Sequence, residues 1–123
     1  MILIDTSVWI DFFRQTNPPL NERLTELLDN RLAVGLSRVF GELLQGVRSP
    51  EEEKVILEFW THIDKVNEDN LFIEAGKLSS KYKLLAKGVG LIDCHLLAAV
   101  KTHKLNLWTL DKRLYSVFEL ITA

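Results

Sequence analysis

Short apolar runs alternate with stretches of helical period along this chain, and four acids sit at or just beyond the ends of those runs. Met1-Ile2-Leu3-Ile4 leads into Asp5, and Leu107-Trp108-Thr109-Leu110 leads into Asp111. Glu42 lies in the helix-like stretch after Leu32-Ala33-Val34-Gly35-Leu36, and Asp93 opens an apolar helical stretch. Such alternation is the signature of βα units and a parallel sheet. Right-handed crossovers put the carboxyl ends of parallel strands on one rim, and open α/β sheets bind ligands there. The topology therefore gathers acids that are far apart in sequence. Carboxylates about 4 Å apart repel by about 4 kcal/mol per pair at an effective dielectric of about 20. The usual partner for clustered oxygens is a divalent hard cation.

The rest of the chain supports one domain spanning residues 1–123. That length can bury a real core, and a hydrophobic fraction of 47% excludes a disordered chain. The single cysteine, Cys94, excludes an internal disulfide and a cysteine-based zinc site, and suits a reducing cytoplasm. The first residues lack the basic and apolar regions of a signal peptide, and no apolar run approaches the ~20 residues of a membrane span. The expectation is a cytoplasmic protein with no membrane partner. A net charge of −2 is not the footprint of a general nucleic-acid binder, so such a partner needs a local basic patch. Arg14, Arg38, Arg48, Lys112 and Arg113 lie near the acids in sequence. Lys77, Lys81, Lys83 and Lys87 read more simply as a solvated helix face.

Ile2 to Asp5 reads as a buried strand, with Thr6 or Ser7 capping a helix through Phe13. Asn17-Pro18-Pro19 breaks it, and Leu20, Leu24, Leu27 and Leu28 give a second helical stripe. Leu32 to Leu36 is a strand, and Ser37 is placed to cap a helix that stops at Gly46. Pro50 sits at the favoured first position of the next helix, whose buried face carries Val55, Ile56, Phe59, Trp60 and Ile63. Residues 63–66 form a brief strand. A long helix is expected from Asn70 to Lys87, with Phe72, Ala75, Leu78, Tyr82 and Leu85 inward. Another runs from Ile92 to His103. Asn106 to Thr109 is a strand, and Val117 to Ile121 is expected as an edge strand.

Hydrolysis of a phosphodiester requires an activated water, neutralised non-bridging oxygens and a stabilised leaving oxygen. One or two Mg²⁺ or Mn²⁺ ions serve all three needs. These ions prefer carboxylate and water oxygens. Each acid alone has a plainer explanation. Asp93 and Glu42 suit the first turns of helices through the dipole, and Asp111 can cap the Lys112-Arg113-Leu114 turn. Asp5 resists such an explanation, because a buried strand seldom ends in an acid without a partner. The weight lies in four such placements together. His95 lies two residues past Asp93, about 200° round a helix, and reads as a packing or surface residue. Cys94 reads as a small buried apolar group. Trp9, Phe12, Phe13, Trp60 and Trp108 read as core. Trp9 and Phe13 share a helical face whose edge is open to a partner segment.

Four segments in order carry a resemblance: Met1-Ile2-Leu3-Ile4-Asp5-Thr6-Ser7-Val8-Trp9-Ile10, Gly41-Glu42-Leu43-Leu44-Gln45-Gly46-Val47-Arg48, Leu91-Ile92-Asp93-Cys94-His95-Leu96-Leu97-Ala98-Ala99 and Leu107-Trp108-Thr109-Leu110-Asp111. The chain resembles PIN-domain ribonucleases across nearly its whole length, above all the VapC-type toxins of toxin–antitoxin pairs. His95 departs from the small residue usual in that family. The resemblance implies a three-layer α/β/α fold with a short, mostly parallel sheet. It implies a Mg²⁺-dependent (or Mn²⁺-dependent) endoribonuclease with Asp5, Glu42, Asp93 and Asp111 as catalytic metal ligands. Thr6, Ser7 and Thr109 are implied as supporting hydroxyls. It further implies an RNA substrate, a co-expressed antitoxin and a homodimer. Arg48 and Lys112 are candidates for contact with nucleic-acid phosphates.

Other readings stay open at this stage. A haloacid-dehalogenase-type phosphatase needs a second Asp two residues after the first, where this chain has Ser7. A receiver-type module needs an acidic pair after the first strand, but Thr6 follows Asp5. A PIN-like nuclease acting on DNA, or on RNA outside a toxin system, fits the same acids. So does a PIN-like nucleic-acid-binding module that has lost activity.

Overall fold

The computed structural model describes all 123 residues. The first apolar run forms β1 (Ile2–Ile4), flanked on both sides in the sheet. β2 (Ala33–Gly35), β3 (Asp64–Lys65) and β4 (Asn106–Trp108) complete a four-stranded sheet in the order β3-β2-β1-β4. Every pairing is parallel, with Leu3 in register with Val34 on one side and Leu107 on the other. The expected mostly parallel sheet is thus parallel throughout. A central strand buried on both faces cannot alternate polar and apolar residues, which is why Ile2-Leu3-Ile4 is continuously apolar.

Helices α1 (Thr6–Arg14), α2 (Pro18–Asp29), α3 (Ser37–Gln45) and α4 (Pro50–His62) pack on one another in succession, α1 against α2 and α3, and α3 against α4. Helices α5 (Leu71–Tyr82), α6 (Leu91–Thr102) and α7 (Lys112–Thr122) form the second group, with α6 between the other two. The result is the three-layer α/β/α architecture. α6 is buried continuously from Cys94 to Val100. A helix apolar all round is a core helix, and only its first turn reaches the rim. In the other helical layer, Trp9 is fully buried and meets Phe12, Phe13, Phe40 and Phe59 at ring-centroid distances of 5.3–5.8 Å. These geometries are mostly edge-to-face, the arrangement the ring quadrupoles favour.

Several elements differ from the sequence expectation. Val117 to Ile121 is not an edge strand but the end of α7. Leu114, Val117, Phe118 and Ile121 recur at helical spacing and pack on or in the core, and Asp111 caps the helix through Arg113 N–H and Leu114 N–H. The helix expected to run to Lys87 ends at Tyr82, because Lys83 adopts a left-handed conformation (φ 53°). This turn reverses which residues face inward. Leu84 is buried, whereas Leu85, expected inside, is 80% exposed; Phe72, also expected inside, lies before this turn at the start of α5, against His95, and is 50% exposed. Val55 also faces solvent rather than the core. Pro50 does open α4, with Ser49 as its cap. Ser37 lies inside the first turn of α3 instead of capping it, and Glu68 supplies the missing acceptor by receiving both the Ser37 N–H and hydroxyl.

Gly35 lets the second crossover close. A Cβ there would stand 2.9 Å from Ile63 Cγ2 and 3.3 Å from Trp60, so α4 and the start of β3 lie directly over the β2 backbone. We predict that Gly35→Ala lowers unfolding stability by about 1–3 kcal/mol through overpacking. Urea denaturation checks this, with a midpoint unchanged from wild type counting against so tight an approach.

Candidate functional site

The carboxyl ends of β1 and β4 lie side by side, and the ladder between them continues one residue past β1. Asp5 N–H donates to Trp108 O at 2.9 Å, which fixes the Asp5 backbone at the rim beside Thr109. Asp5 occupies the cap position of α1, yet its side chain makes no capping bond. Oδ2 instead accepts from Ser7 Oγ at 2.9 Å and from Thr109 Oγ1 at 2.8 Å. Those hydroxyls have little choice of direction. Ser7 Oγ also accepts from Leu110 N–H, and Thr109 Oγ1 accepts from Asp111 N–H. Each hydroxyl has one proton, and with backbone donors on the lone pairs that proton goes to Asp5. The Asp5 carboxylate is therefore held on one oxygen, leaving Oδ1 facing the site.

Glu42 projects from α3 and accepts from Thr6 Oγ1 at 3.0 Å. Asp93 lies in the first turn of α6, where the helix dipole supports its negative charge. All three carboxylates meet one group that the sequence reading noted only in passing. Arg38, one turn before Glu42 on α3, places Nη2 2.8 Å from Asp93 Oδ1 and Nε 3.0 Å from Glu42 Oε1. Its Nη1 is 3.9 Å from Asp5 Oδ1. Acids numbered 5, 42 and 93 thus surround a single guanidinium.

The fourth acid stands apart from that group. Asp111 is exposed, and its Oδ1 receives the two amides that open α7. It joins the site through its backbone, by the Asp111–Thr109–Asp5 hydrogen-bond chain. Arg48 and Lys112 are both exposed, and neither pairs with the acids. Arg48 does flank Glu42 in a groove of about 660 Å³.

Sequence reasoning underrated two residues. Glu68 holds the start of α3 and lies 3.8 Å from His95 Nε2, and nothing in its local sequence points there. Arg38 had a detectable signal, an arginine one helical turn before the acid. His95 is buried at 3% exposure and lies against Phe72 with ring centroids 4.2 Å apart. Burial, and secondarily the Arg38 charge, push its pKa down against the pull of Glu68, so it is a neutral packing residue near pH 7. Burial pushes the Cys94 thiol up, which keeps it protonated and unsuited to attack.

The donor set is chemically suited to a hard cation. Carboxylate and hydroxyl oxygens face the rim, while the nitrogen and sulfur of His95 and Cys94 are turned into the core. As the side chains stand, no three of the acids, histidines or cysteines are close enough to hold one metal ion together. The guanidinium sits between the three that converge, and three carboxylates around one positive group leave two negative charges uncompensated.

The chain is similar to known proteins over nearly its whole length. A family model described as the PIN domain matches residues 2–119. A protein named Ribonuclease VapC32, from Mycobacterium tuberculosis, is 34% identical over 118 residues, covering 93% of this chain and 87% of the relative. The structure of VapBC2 from Rickettsia felis, bound to a promoter DNA fragment, superposes with a TM-score of 0.72 at 18% identity, covering 95% of this chain and 92% of the other. FitAcB from Neisseria gonorrhoeae gives 0.68 at 20% identity, covering 97% and 94%.

The two tasks of Asp111, charge and cap, can be separated. Asparagine caps a helix about as well as aspartate. Asp111→Ala is expected to lose about 1 kcal/mol of stability in guanidinium unfolding, and Asp111→Asn to stay within about 0.5 kcal/mol of wild type. Equal losses in both would mean that the charge, not the cap, stabilises the start of α7.

Proposed function

The chain belongs to the PIN domain family, and on that premise we propose that it is a metal-dependent endoribonuclease, the toxin of a toxin–antitoxin pair. The observation that carries this reading is the convergence of Asp5, Glu42 and Asp93, from three separate elements, on one cationic group. Asp5, Glu42 and Asp93 would hold Mg²⁺ or Mn²⁺, with Asp111 completing the set from the rim. Such an ion, when bound, activates water and offsets charge on the phosphate.

This chain's own residues supply the rest. Ser7 and Thr109 keep Asp5 in one orientation, so that its free oxygen is aimed before substrate arrives. Thr6 does the same for Glu42. A carboxylate at the rim would take the proton from the attacking water, and as the new P–O bond forms the bond to the leaving sugar oxygen breaks, that oxygen taking a proton from solvent. Exposed Arg48 and Lys112 flank the acids as phosphate contacts, guiding an anionic strand to a site that is itself negative.

Surface features support the remaining partners. The groove beside Glu42 is lined by Ile10, Phe13, Leu43, Val47, Val55 and Ile56, apolar side chains that suit an amphipathic antitoxin segment. Phe13 reaches it, whereas Trp9 lies wholly in the core. α5 and α6 expose Phe72, Ile73, Leu91 and Ile92, apolar surface that a homodimer would cover. No helix is long and apolar enough to cross a membrane. A cytoplasmic location would suit an RNA substrate and a single free thiol.

Asp5→Asn and Asp93→Asn should each lower cleavage of single-stranded RNA by about 100-fold or more with the circular dichroism spectrum retained. A chelator should abolish wild-type cleavage, and added Mg²⁺ or Mn²⁺ should restore it. Undiminished cleavage by either variant would remove that acid from the site. Cutting of single-stranded DNA but not RNA would make the protein a deoxyribonuclease. RNA bound yet uncut with either metal would make it a binding module.

A further inference from the structure

We propose that Arg38 is a built-in counter-ion, which fills the carboxylate pocket in the metal-free protein and is displaced when a divalent cation enters. The proposal rests on the metal-dependent reading above and adds an internal competitor to it.

The geometry of the guanidinium is the first argument. A structural arginine usually meets one carboxylate as a fork, with two parallel hydrogen bonds. Arg38 instead spreads over three carboxylates at 2.8, 3.0 and 3.9 Å, and makes one well-aligned hydrogen bond, to Asp93. Nε and Nη1 are buried with no aligned partner. The group is thus held by charge at the centre of a cluster more than by fitted bonds to any member.

Its placement is the second argument. The Arg38 side chain is 12% exposed, whereas those of Glu42 and Asp93 are 40% and 46% exposed. The cation lies deeper than two of the acids that surround it, between their carboxylates. With the guanidinium between them, no three of the acids stand close enough together to hold one ion. The side chain is anchored on the first turn of α3, one turn from Glu42, and its long flexible stem can carry the charge out toward solvent without moving the helix. A metal ion must therefore displace the guanidinium to gain the carboxylates, and the apparent affinity is lowered by that competition.

The experiment measures metal binding directly, without activity. Isothermal titration of Mg²⁺ and of Mn²⁺ into Arg38→Met should show binding about ten-fold or more tighter than wild type. Arg31→Met, which removes the same charge just before β2, where Arg31 pairs with Asp64 away from the acids, should shift affinity less than about two-fold. Without metal, Arg38→Met should melt at a lower temperature than wild type, because three carboxylates lose their counter-ion. Saturating Mn²⁺ should close that gap. If Arg38→Met does not fold, the wild type supplies the test by nuclear magnetic resonance. Its Arg38 Nε–Hε cross-peak, assigned by its loss in Arg38→Lys, should move when Mg²⁺ saturates the Asp5 and Asp93 amide shifts. Affinity in Arg38→Met equal to or weaker than wild type would overturn the proposal, as would an unmoved cross-peak at saturation. Wild type that binds neither ion would defeat the metal-dependent reading itself and the competition with it.

Discussion

Mutual repulsion among Asp5, Glu42 and Asp93 is the constraint around which the rim of this protein is organised. Three carboxylates brought together at the edge of a hydrophobic core are unfavourable unless charge and hydrogen bonds offset them. Two devices do so here. Hydroxyl donors from Thr6, Ser7 and Thr109 take up one oxygen of Glu42 and one of Asp5. The Arg38 guanidinium faces all three acids and leaves the cluster negative overall. A rim that is negative, oxygen-rich and only partly neutralised suits the divalent cation proposed for it.

The fold supplies this arrangement through topology. Because all four strands run parallel, β1 and β4 end on one rim and bring Asp5 and Thr109 together across more than one hundred residues. The crossovers add Glu42 from α3 and Asp93 from α6. α6 matters most to rigidity, since seven successive buried residues behind Asp93 fix where its first turn stands. Glu68, from the segment after β3, holds the N–H and hydroxyl of Ser37 and so sets the base from which Arg38 reaches inward. Stability of the core and geometry of the site are therefore one problem, because each acid is placed by an element whose other face is buried.

Much of this was legible in the residues. The apolar run before Asp5, Pro50 at the start of a helix and the apolar stretch after Asp93 each carry a local signal, and each element is where that signal puts it. Local signals failed where two structures suit the same residues. Val117 to Ile121 is short and apolar enough for a strand, and only the phase set by Leu114 and the cap at Asp111 selects a helix. Phe72 and Leu85 look inward on a continuous helix, and the left-handed Lys83 breaks the phase for Leu85. Within the candidate site, the placement of Asp5 at a strand end and of Glu42 and Asp93 on helices was readable from the apolar stretches around them. Of the Arg38 contacts only the one to Glu42, a turn away, had a signal, since an ion pair with acids 33 and 55 residues away leaves no trace in spacing. Glu68 was hidden for the same reason.

The central claim is that these carboxylates form one cation-binding pocket, and crystals soaked in Mn²⁺ test it most directly. Anomalous scattering should place an ion about 2.0–2.5 Å from oxygens of Asp5 and Asp93, with Glu42 or Asp111 reached directly or through water. An ion bound elsewhere, or no ion in the pocket at saturating Mn²⁺ with the three acids still around Arg38, would contradict the account.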